Sequence, residues 1–357
     1  MSPNSSRPVT IKDVALRARV SKSTVARALT GEGSVSPQTL DKVLAAAEAL
    51  GYRTNGIARS MITGQTDSLG VVVPSVSAPF FAHALGGVTQ EAREAGYSVL
   101  LVSSDNDLAL ERDAVEMLLT KHVDGMIVAP VQPGQTEHLR RAEGFGVPLT
   151  VLDRPAPGLS QASSVTLDNV GASMLAIRHL LELGHRDIGI ITEAPVPPGQ
   201  PRWSYAGVGT TFPSWDRLEG YKRALVDAGI PYRKEYVAKA RYSRDSAYEV
   251  TGKLLKARPE LTALYCTDNE LSVGSFGAVQ DLGISCPGEL SFLGFDDQEW
   301  ATLVRPKLTV VEQPGYELGR TAAHDVLSAV GRQTRTRAAH SLSAQLIIRE
   351  STAPPRA

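Results

Sequence analysis

The sequence predicts an α/β protein: a two-lobed core of doubly wound parallel sheets, preceded by a small all-α head. Amphipathic helical patterns separated by turn signals fill the first 54 residues, and short apolar runs then alternate with helical patterns. This alternation occurs twice, as expected for two lobes. At 357 residues the chain is long enough for two or three domains. We expect a head at 1–54, a hinge and linker at 55–67, and a core at 68–357.

Charge is distributed unevenly along the chain. The formal net charge is −1, but residues 1–64 hold nine Lys and Arg against four Asp and Glu. The head therefore carries +5 and the remainder −6, which localises the attraction for polyanions at one end. The N-terminus lacks the apolar segment of a signal peptide, and no stretch reaches the roughly 20 apolar residues of a membrane span. We therefore expect a cytoplasmic protein with no membrane partner.

Three short helices are predicted in the head. Thr10 can cap the first helix with Asp13 in a variant of the capping box, and Ser21 can cap the second. Ser36 begins the third helix and Gly51 ends it. The apolar stripes expected to face inward are Ile11, Val14, Ala15 and Ala18, then Val25, Ala28 and Leu29, then Leu40, Val43, Leu44, Ala47 and Leu50.

The second helix leaves polar and cationic side chains on its outer face. Lys22, Ser23 and Arg27 are expected to reach base edges in the major groove, since a guanidinium matches the two acceptors of guanine. Ser21 and Thr24 suit phosphates. Residue by residue, a solvated face explains the pattern as well. Together with the turn, the third helix and the basic charge, it indicates a unit that binds double-stranded DNA.

A short amphipathic segment, NGIARSMITG, joins the head to the core. Asn55 is a candidate cap, and Arg59 is a candidate cation for the minor groove or a phosphate. So short a helix is marginal alone, because nucleation is costly. We expect it to become ordered only when a partner helix or DNA supports it, and a flexible linker is the alternative.

Side chains that follow the core strands are candidate ligand contacts. The carboxyl ends of parallel strands open onto a crevice. This rule selects residues that follow a strand, namely Phe80, Phe81, Asp105, Asp153, Asp268 and Asp296, along with Ser75, Arg154 and Thr267. Arg217, which opens a helix, and Gln313, which lies beyond a crossover, are added to them. Carboxylates, a guanidinium and aromatic faces suit a polyhydroxyl ligand. For each aspartate, a helix cap or a loop turn is the alternative.

One long segment, PVPPGQPRWSYAGVGTTFPSW, has no helix or strand pattern. It carries Trp203, Tyr205, Phe212 and Trp215. Loops of this length are usually functional or disordered, and aromatic residues argue against disorder. We expect either a lid at the cleft mouth, with Trp203 or Trp215 stacking on ligand, or a surface excursion packed on its own aromatics.

Residues 9–66 resemble the DNA-binding head of the LacI/GalR repressors. The motifs are VTIKDVA, VSKSTVARAL, VSPQTLDKVLAAAEALGY and NGIARSMITG. The remainder resembles that family's periplasmic-binding-protein-like effector core. Two departures occur: Arg19 stands where the turn often has Gly, and Ala26 replaces the usual Ser. In this family paired hinge helices enter the minor groove and a Leu wedges between bases. Met61 occupies that position, and its thioether can fill the same slot.

The resemblance implies a homodimeric repressor bound to a palindromic operator and controlled by an effector between the lobes. Asp153, Arg217, Asp268, Asp296 and Gln313 match positions that often line the family's sugar pocket, and Phe80 and Phe81 match its first-lobe wall. A carbohydrate is thus the expected effector, with nucleobases and sugar phosphates as alternatives. The sequence leaves open whether the effector releases DNA or promotes binding. No apolar heptad tail follows the last strand, so nothing predicts a tetramer.

Two other function classes fit less well. An extracytoplasmic sugar-binding protein would share the core, but the head and the absent signal peptide argue against it. An enzyme is disfavoured because the sequence has no P-loop, no G-x-S-x-G elbow and no zinc pattern. Cys266 and Cys286 lack metal-ligand spacing. We therefore expect no catalysis, no metal and no cofactor.

Overall fold

The computed structural model describes residues 9–30, 35–52, 64–193, 213–331 and 337–356. The chain forms two compact units, Met1–Asp67 and Ser68–Ala357. The predicted contacts Asn55, Arg59 and Met61 lie outside the described residues, as do Trp203, Tyr205 and Phe212. None of the described helices combines the length and the apolar composition that crossing a bilayer requires.

The N-terminal unit contains the three predicted helices, α1 (Ile11–Ala18), α2 (Lys22–Thr30) and α3 (Pro37–Leu50). At α1 the Asp13 carboxylate accepts hydrogen bonds from the backbone N–H and the hydroxyl of Thr10, at 2.8 and 2.7 Å. At α2 the Ser21 hydroxyl accepts a hydrogen bond from the backbone N–H of Thr24 at 3.1 Å. These bonds satisfy donors that helix starts leave free, so the predicted caps are confirmed.

A small apolar cluster holds these helices together. Its fully buried members are Val14, Ala15, Ala18, Val25, Ala28, Val43, Ala46 and Ala47. The prediction was wrong for Leu44, which is 49% exposed, whereas Ala46 is buried. The inward arc of α3 is centred on Val43 and Ala47, and position 44 lies about 100° around the helix from Val43. Arg19 adopts the left-handed conformation expected at the turn, with φ 55° and ψ 44°.

The second unit is a strand-and-helix alternation. Its elements are β1 (Ser68–Val73), α4 (Pro79–Glu94), β2 (Ser98–Ser103), α5 (Leu108–Thr120), β3 (Gly125–Val128), α6 (Glu137–Gly144), β4 (Leu149–Leu152), β5 (Ser163–Leu167), α7 (Asn169–Glu182), β6 (Ile188–Glu193), α8 (Pro213–Asp227), β7 (Val237–Ala240), α9 (Arg244–Ala257), β8 (Ala263–Cys266), α10 (Asn269–Asp281), β9 (Ser291–Phe295), α11 (Trp300–Leu303), β10 (Thr309–Glu312), α12 (Gly315–Ala329), β11 (Ala339–Leu342) and β12 (Gln345–Ile347).

Among the described residues these strands form two six-stranded sheets, one in each lobe. The first has the order β11-β5-β4-β3-β1-β2 and is parallel throughout. The second has the order β12-β10-β9-β8-β6-β7, with only β12 antiparallel to its neighbour. Helices cover both faces, which is why β1, β3 and β4 are buried along their whole length. The predicted fold class is confirmed.

Three details differ from the prediction. The apolar pattern of HSLSAQLIIRE predicts one last strand, but the segment forms two: β11 joins the first sheet and β12 the second. The strands β5 and β7 were not predicted, because SSVTL and VAKA are short and contain polar residues. The chain passes between the lobes after β5, after β10 and after β11. Each of these strands is one of the first two in the order of its sheet, so the three connections lie on the same side of the two sheets.

Close helix packing fixes the second of these connections. Helix α12 follows β10 of the second sheet but packs against α4 of the first lobe. Gly87 on α4 faces the backbone carbonyl of Tyr316, and Gly319 on α12 faces that of Ala84. A Cβ at either glycine would overlap the opposing carbonyl oxygen, so the absence of a side chain permits the close approach of the two helices.

We expect Gly87→Ala to destabilise the core by about 1–3 kcal/mol, because the new methyl group forces the helices apart. Gly86→Ala is the matched control, since its Cβ would lie 3.7 Å from the Tyr316 ring and alanine favours helix. Denaturant unfolding of both variants measures the difference. Equal stability of the two variants would contradict the packing account.

Candidate functional site

A cavity of about 350 Å³ lies at the carboxyl ends of strands from both sheets. All eight side chains selected from the sequence line it, namely Phe80, Phe81, Asp105, Asp153, Arg217, Asp268, Asp296 and Gln313. Ser75, Arg154 and Thr267 line it as well. Parallel strands end at the same edge of each sheet, and the two edges face each other across the crevice. The structure therefore brings together residues up to 239 positions apart in sequence, from Pro74 to Gln313.

Arg217 is the more deeply buried of the two cations among the described residues that line this cavity. It lies in the second turn of α8 and is only 4% exposed. Its Nε donates to Asn169 Oδ1 at 2.8 Å, Nη1 to the Thr267 carbonyl at 2.7 Å, and Nη2 to Gln313 Oε1 at 3.2 Å. The guanidinium also stacks on Phe295, 3.9 Å from the ring centre. Packing and hydrogen bonds thus fix its orientation.

The second-lobe wall carries three acidic side chains. Asp268 precedes α10 and its Oδ1 accepts from the Glu270 N–H at 2.9 Å, while Asp296 follows β9 and accepts from Gln313 Nε2 at 2.6 Å. Burial and then the charge of Asp296 raise the pKa of Asp268 well above its ordinary value, against the lowering effect of Arg217. Burial also raises the pKa of Asp296 and of Glu193, although Arg217 lowers both.

The first-lobe wall is aromatic on one side and polar on the other. The rings of Phe80 and Phe81 pack edge to face with centroids 5.1 Å apart. Asp153 lies 3.7 Å from Arg154, whose guanidinium also donates to Asn106 Oδ1 at 3.1 Å. Burial raises the pKa of Asp153, although the charges of Arg154 and Arg217 lower it. This wall offers a flat apolar surface beside hydrogen-bonding groups.

Several lining residues were missed in the sequence. They are Asn106, Glu193, Ser214, Tyr242 and Asn269, with four apolar residues: Pro74, Ala78, Pro79 and Pro213. Glu193 ends β6, so the strand-end rule could have found it. Tyr242 follows β7, a strand that the sequence did not reveal. Asn269 lines the cavity and also accepts from Trp300 Nε1 at 2.9 Å, a contact that only the tertiary structure creates.

Two residues that are close in sequence to cavity residues, Trp215 and Asp297, do not line the cavity. Trp215, placed in the long loop from the sequence, lies instead in the first turn of α8 and is not among the cavity-lining residues. Proline at the first helical position explains the earlier helix start. Asp297 directly follows Asp296 but lies outside the cavity, where its Oδ2 accepts from Arg349 Nη2 at 2.7 Å.

In the head, the outer face of α2 presents the predicted DNA contacts to solvent. Lys22, Ser23 and Arg27 are exposed, and the hydroxyl of Ser21 lies 2.8 Å from those of Ser23 and Thr24. Arg27 Nε donates to the Ser23 carbonyl at 3.4 Å, leaving its other N–H groups toward solvent. The hydroxyl of Thr10 is bonded to Asp13, so contact with a phosphate requires it to change partner.

Both parts of the chain match known families. Residues 10–55 match the family described as bacterial regulatory proteins, lacI family, and residues 177–352 match the periplasmic binding protein-like domain. The chain is 32% identical over 347 residues to catabolite control protein A of Priestia megaterium, covering 96% of this chain and 99% of that protein. Similarity of this extent establishes a common architecture for head and core together.

Two solved structures extend the comparison. A complex of the transcriptional regulator CelR with cellobiose is 27% identical, has a TM-score of 0.70, and covers 97% of this chain and 100% of that one. A LacI family transcriptional regulator from Enterococcus faecium with bound ribose is 26% identical, with a TM-score of 0.68, covering 81% of this chain and 100% of that one.

We expect Asp268→Asn to stabilise the protein at neutral pH. The folded-state pKa of Asp268 is raised by burial and by Asp296, so folding loses stability as pH rises from the ordinary value through the folded value. Asparagine cannot ionise, so it removes this loss of stability, and it caps a helix about as effectively as aspartate does. Each kcal/mol gained raises the melting temperature by roughly 2–4 °C, and the gain should shrink toward about pH 4.

The matched control is Asp107→Asn, which alters an exposed N-cap carboxylate on α5, outside the cavity. It should give no gain in melting temperature at any pH. Thermal unfolding of both variants from neutral pH downward makes the comparison. A stabilisation of Asp268→Asn that persists unchanged at low pH would contradict the charge account.

Proposed function

Because the chain belongs to the lacI family of bacterial regulatory proteins, we propose that it represses transcription as a dimer whose operator affinity depends on a sugar bound between the two lobes. The supporting observation is the presence in one chain of an exposed cationic face on α2 and a polar cavity at the strand ends of two lobes. Neither part alone would couple DNA binding to a ligand.

The proposed DNA contacts fall into three groups. Lys22, Ser23 and Arg27 contact base edges in the major groove, and Ser21 and Thr24 contact phosphates. Thr10 at the start of α1 is assigned to the phosphate backbone. We retain Met61 for the minor groove, Arg59 for the minor groove or a phosphate, and Asn55 as a further DNA contact. With them we keep the division into a head at 1–54, a hinge at 55–67 and a core at 68–357.

The proposed effector contacts are the eight side chains predicted from the sequence, Phe80, Phe81, Asp105, Asp153, Arg217, Asp268, Asp296 and Gln313. Carboxylate and amide oxygens accept from ligand hydroxyls, and the guanidinium donates in a fixed fork. The aromatic rings of the first lobe supply a surface for the apolar face of a sugar ring. Bound cellobiose and ribose in two similar regulators favour a carbohydrate. We assign no catalytic step to the cavity and place the protein with DNA in the cytoplasm.

The first lobe also provides a surface suited to a second copy of the chain. Leu100 and Leu101 on the edge strand β2, and Leu110 and Met117 on α5, are each 38–45% exposed. Helix α5 packs against β2, so the four side chains lie on neighbouring elements. Apolar side chains grouped in this way favour a protein interface. A dimer would present two heads to the two halves of a palindrome.

We expect the full-length protein to select a palindromic sequence from a random DNA pool, with two similar half-sites. Its affinity should fall steeply as salt rises, because Lys and Arg contacts displace counterions from phosphates. Fluorescence anisotropy at increasing salt, with sedimentation to determine the oligomeric state, tests both points. A single unpaired site, or an affinity independent of salt, would rule out the proposed function.

Arg27→Ala should relax the base preference at one position of each half-site by about 1–3 kcal/mol. The reason is the loss of a guanidinium that pairs with the acceptors of a base edge. Lys42→Ala is the charge-matched control, because Lys42 is exposed on α3 and should leave base preference unchanged. Competition assays with single-base operator variants distinguish the cases. A uniform loss across all sequences would mark Arg27 as a phosphate contact.

A further inference from the structure

The cavity between the lobes is strongly acidic. Among the described residues that line it, five carry carboxylates and two carry guanidinium groups, with neither lysine nor histidine. In the first lobe, Asp153 is balanced by Arg154 at 3.7 Å. Most of the excess negative charge lies in the second-lobe wall, where Glu193, Asp268 and Asp296 face Arg217, and Asp105 leaves one further negative charge in the first lobe.

Arg217 does not form an ion pair with any of these three carboxylates. Three of its N–H groups donate to neutral oxygens of Asn169, Thr267 and Gln313. Within the described residues, no Lys, Arg or His nitrogen lies within 4 Å of the carboxylate oxygens of Glu193, Asp268 or Asp296. Burial raises the pKa of all three groups even though the Arg217 charge lowers it, and for Glu193 the charge of Arg154 lowers the pKa more than that of Arg217.

A second feature indicates that a polar ligand completes the site. Ser214, one turn before Arg217 on α8, lines the cavity and is 6% exposed. Its hydroxyl oxygen is fully buried and has no hydrogen-bond partner among the described residues. Buried hydroxyls are normally hydrogen-bonded. Ser214 lines the cavity beside these carboxylates, so rotation of its side chain would bring the unsatisfied hydroxyl to a ligand group that supplies the missing partner.

We propose that the effector is a polyhydroxylated molecule bearing a protonated amine, with the ammonium held by Glu193, Asp268 and Asp296 and a neighbouring hydroxyl bonded to Ser214. The inference rests on the proposed function, since it specifies the ligand of the same cleft. An ammonium supplies a counter-charge that the described residues of the second-lobe wall do not provide, and charge-assisted hydrogen bonds in a desolvated site are strong. Phosphorylated sugars are disfavoured, because their negative charge would face three carboxylates and one guanidinium.

The test measures binding of matched probes to the full-length protein at neutral pH by calorimetry. The probes are glucosamine, glucose and glucose 6-phosphate, then galactosamine, galactose and galactose 6-phosphate, then mannosamine and mannose. In at least one set the amine should bind about tenfold or more tightly than its neutral counterpart, with the phosphate weaker still. A neutral or phosphorylated sugar binding as tightly as its amine, or no amine binding below about 10 mM, would overturn the proposal.

Substitutions in the second-lobe wall test whether its carboxylates cause the preference for an amine. Glu193→Gln and Asp268→Asn should each weaken binding of the preferred amine about tenfold more than binding of its neutral counterpart, because each substitution removes a charge and keeps a hydrogen-bonding oxygen. Asparagine at 268 can keep the helix cap, so a lost preference would not reflect a damaged fold. Glu249→Gln, on an exposed stretch of α9 outside the cavity, should change neither affinity. Equal losses for the amine and the neutral sugar in the two variants would also overturn the proposal.

The outcome is separable from the proposed function. Operator binding by the same preparation reports on the regulator itself. If a neutral sugar alters operator affinity and the amines show no preference, the regulator stands and the amine-bearing effector is wrong. If the protein does not bind an operator, the proposed function is wrong, whichever of the sugar probes bind.

Discussion

The hydrogen bonds of Arg217 join parts of the core that are far apart in sequence. Its guanidinium is bonded to Asn169, Thr267 and Gln313, which stand 48, 50 and 96 residues away. A buried cation is costly unless its donors are satisfied, so these acceptors are a condition for Arg217 to lie in the cavity at all. Asn169 begins the helix after the first crossover and Gln313 precedes the helix after the second. The ligand wall and the lobe connections therefore share one hydrogen-bonded unit.

The same geometry concentrates acidic side chains at the crevice. Asp105, Asp153 and Asp296 each follow a strand with a positive φ, of 49°, 66° and 68°. Aspartate tolerates this left-handed conformation better than most residues, and a sharp turn at this point directs the chain away from the sheet edge. Carboxylates thus line a partly desolvated cavity, where burial raises the pKa values of Asp153 and Asp296. The cost of that burial is what makes the charge of a ligand decisive.

The head follows a simpler physical rule than the core. Its buried cluster consists of valines and alanines, small side chains that let three short helices pack closely. The outer face of α2 takes no part in this packing, and its Lys22, Ser23 and Arg27 are exposed. Only one apolar position, Leu44, departs from the predicted stripe, because it lies at the margin of the arc that α3 buries.

The sequence by itself determined the class of fold, the alternation of most strands and helices, and the strand ends at which ligand contacts lie. Periodicity, caps and parallel-strand geometry are local or near-local properties, so eleven cavity residues could be predicted without coordinates. Only the tertiary structure decided which neighbours each side chain has. The pairing of β5 and β7 into their sheets, the contact of Asn269 with Trp300, and the excess of carboxylates around Arg217 arise from long-range packing. Burial and charge balance are sums over such neighbours, and no segment of sequence contains them.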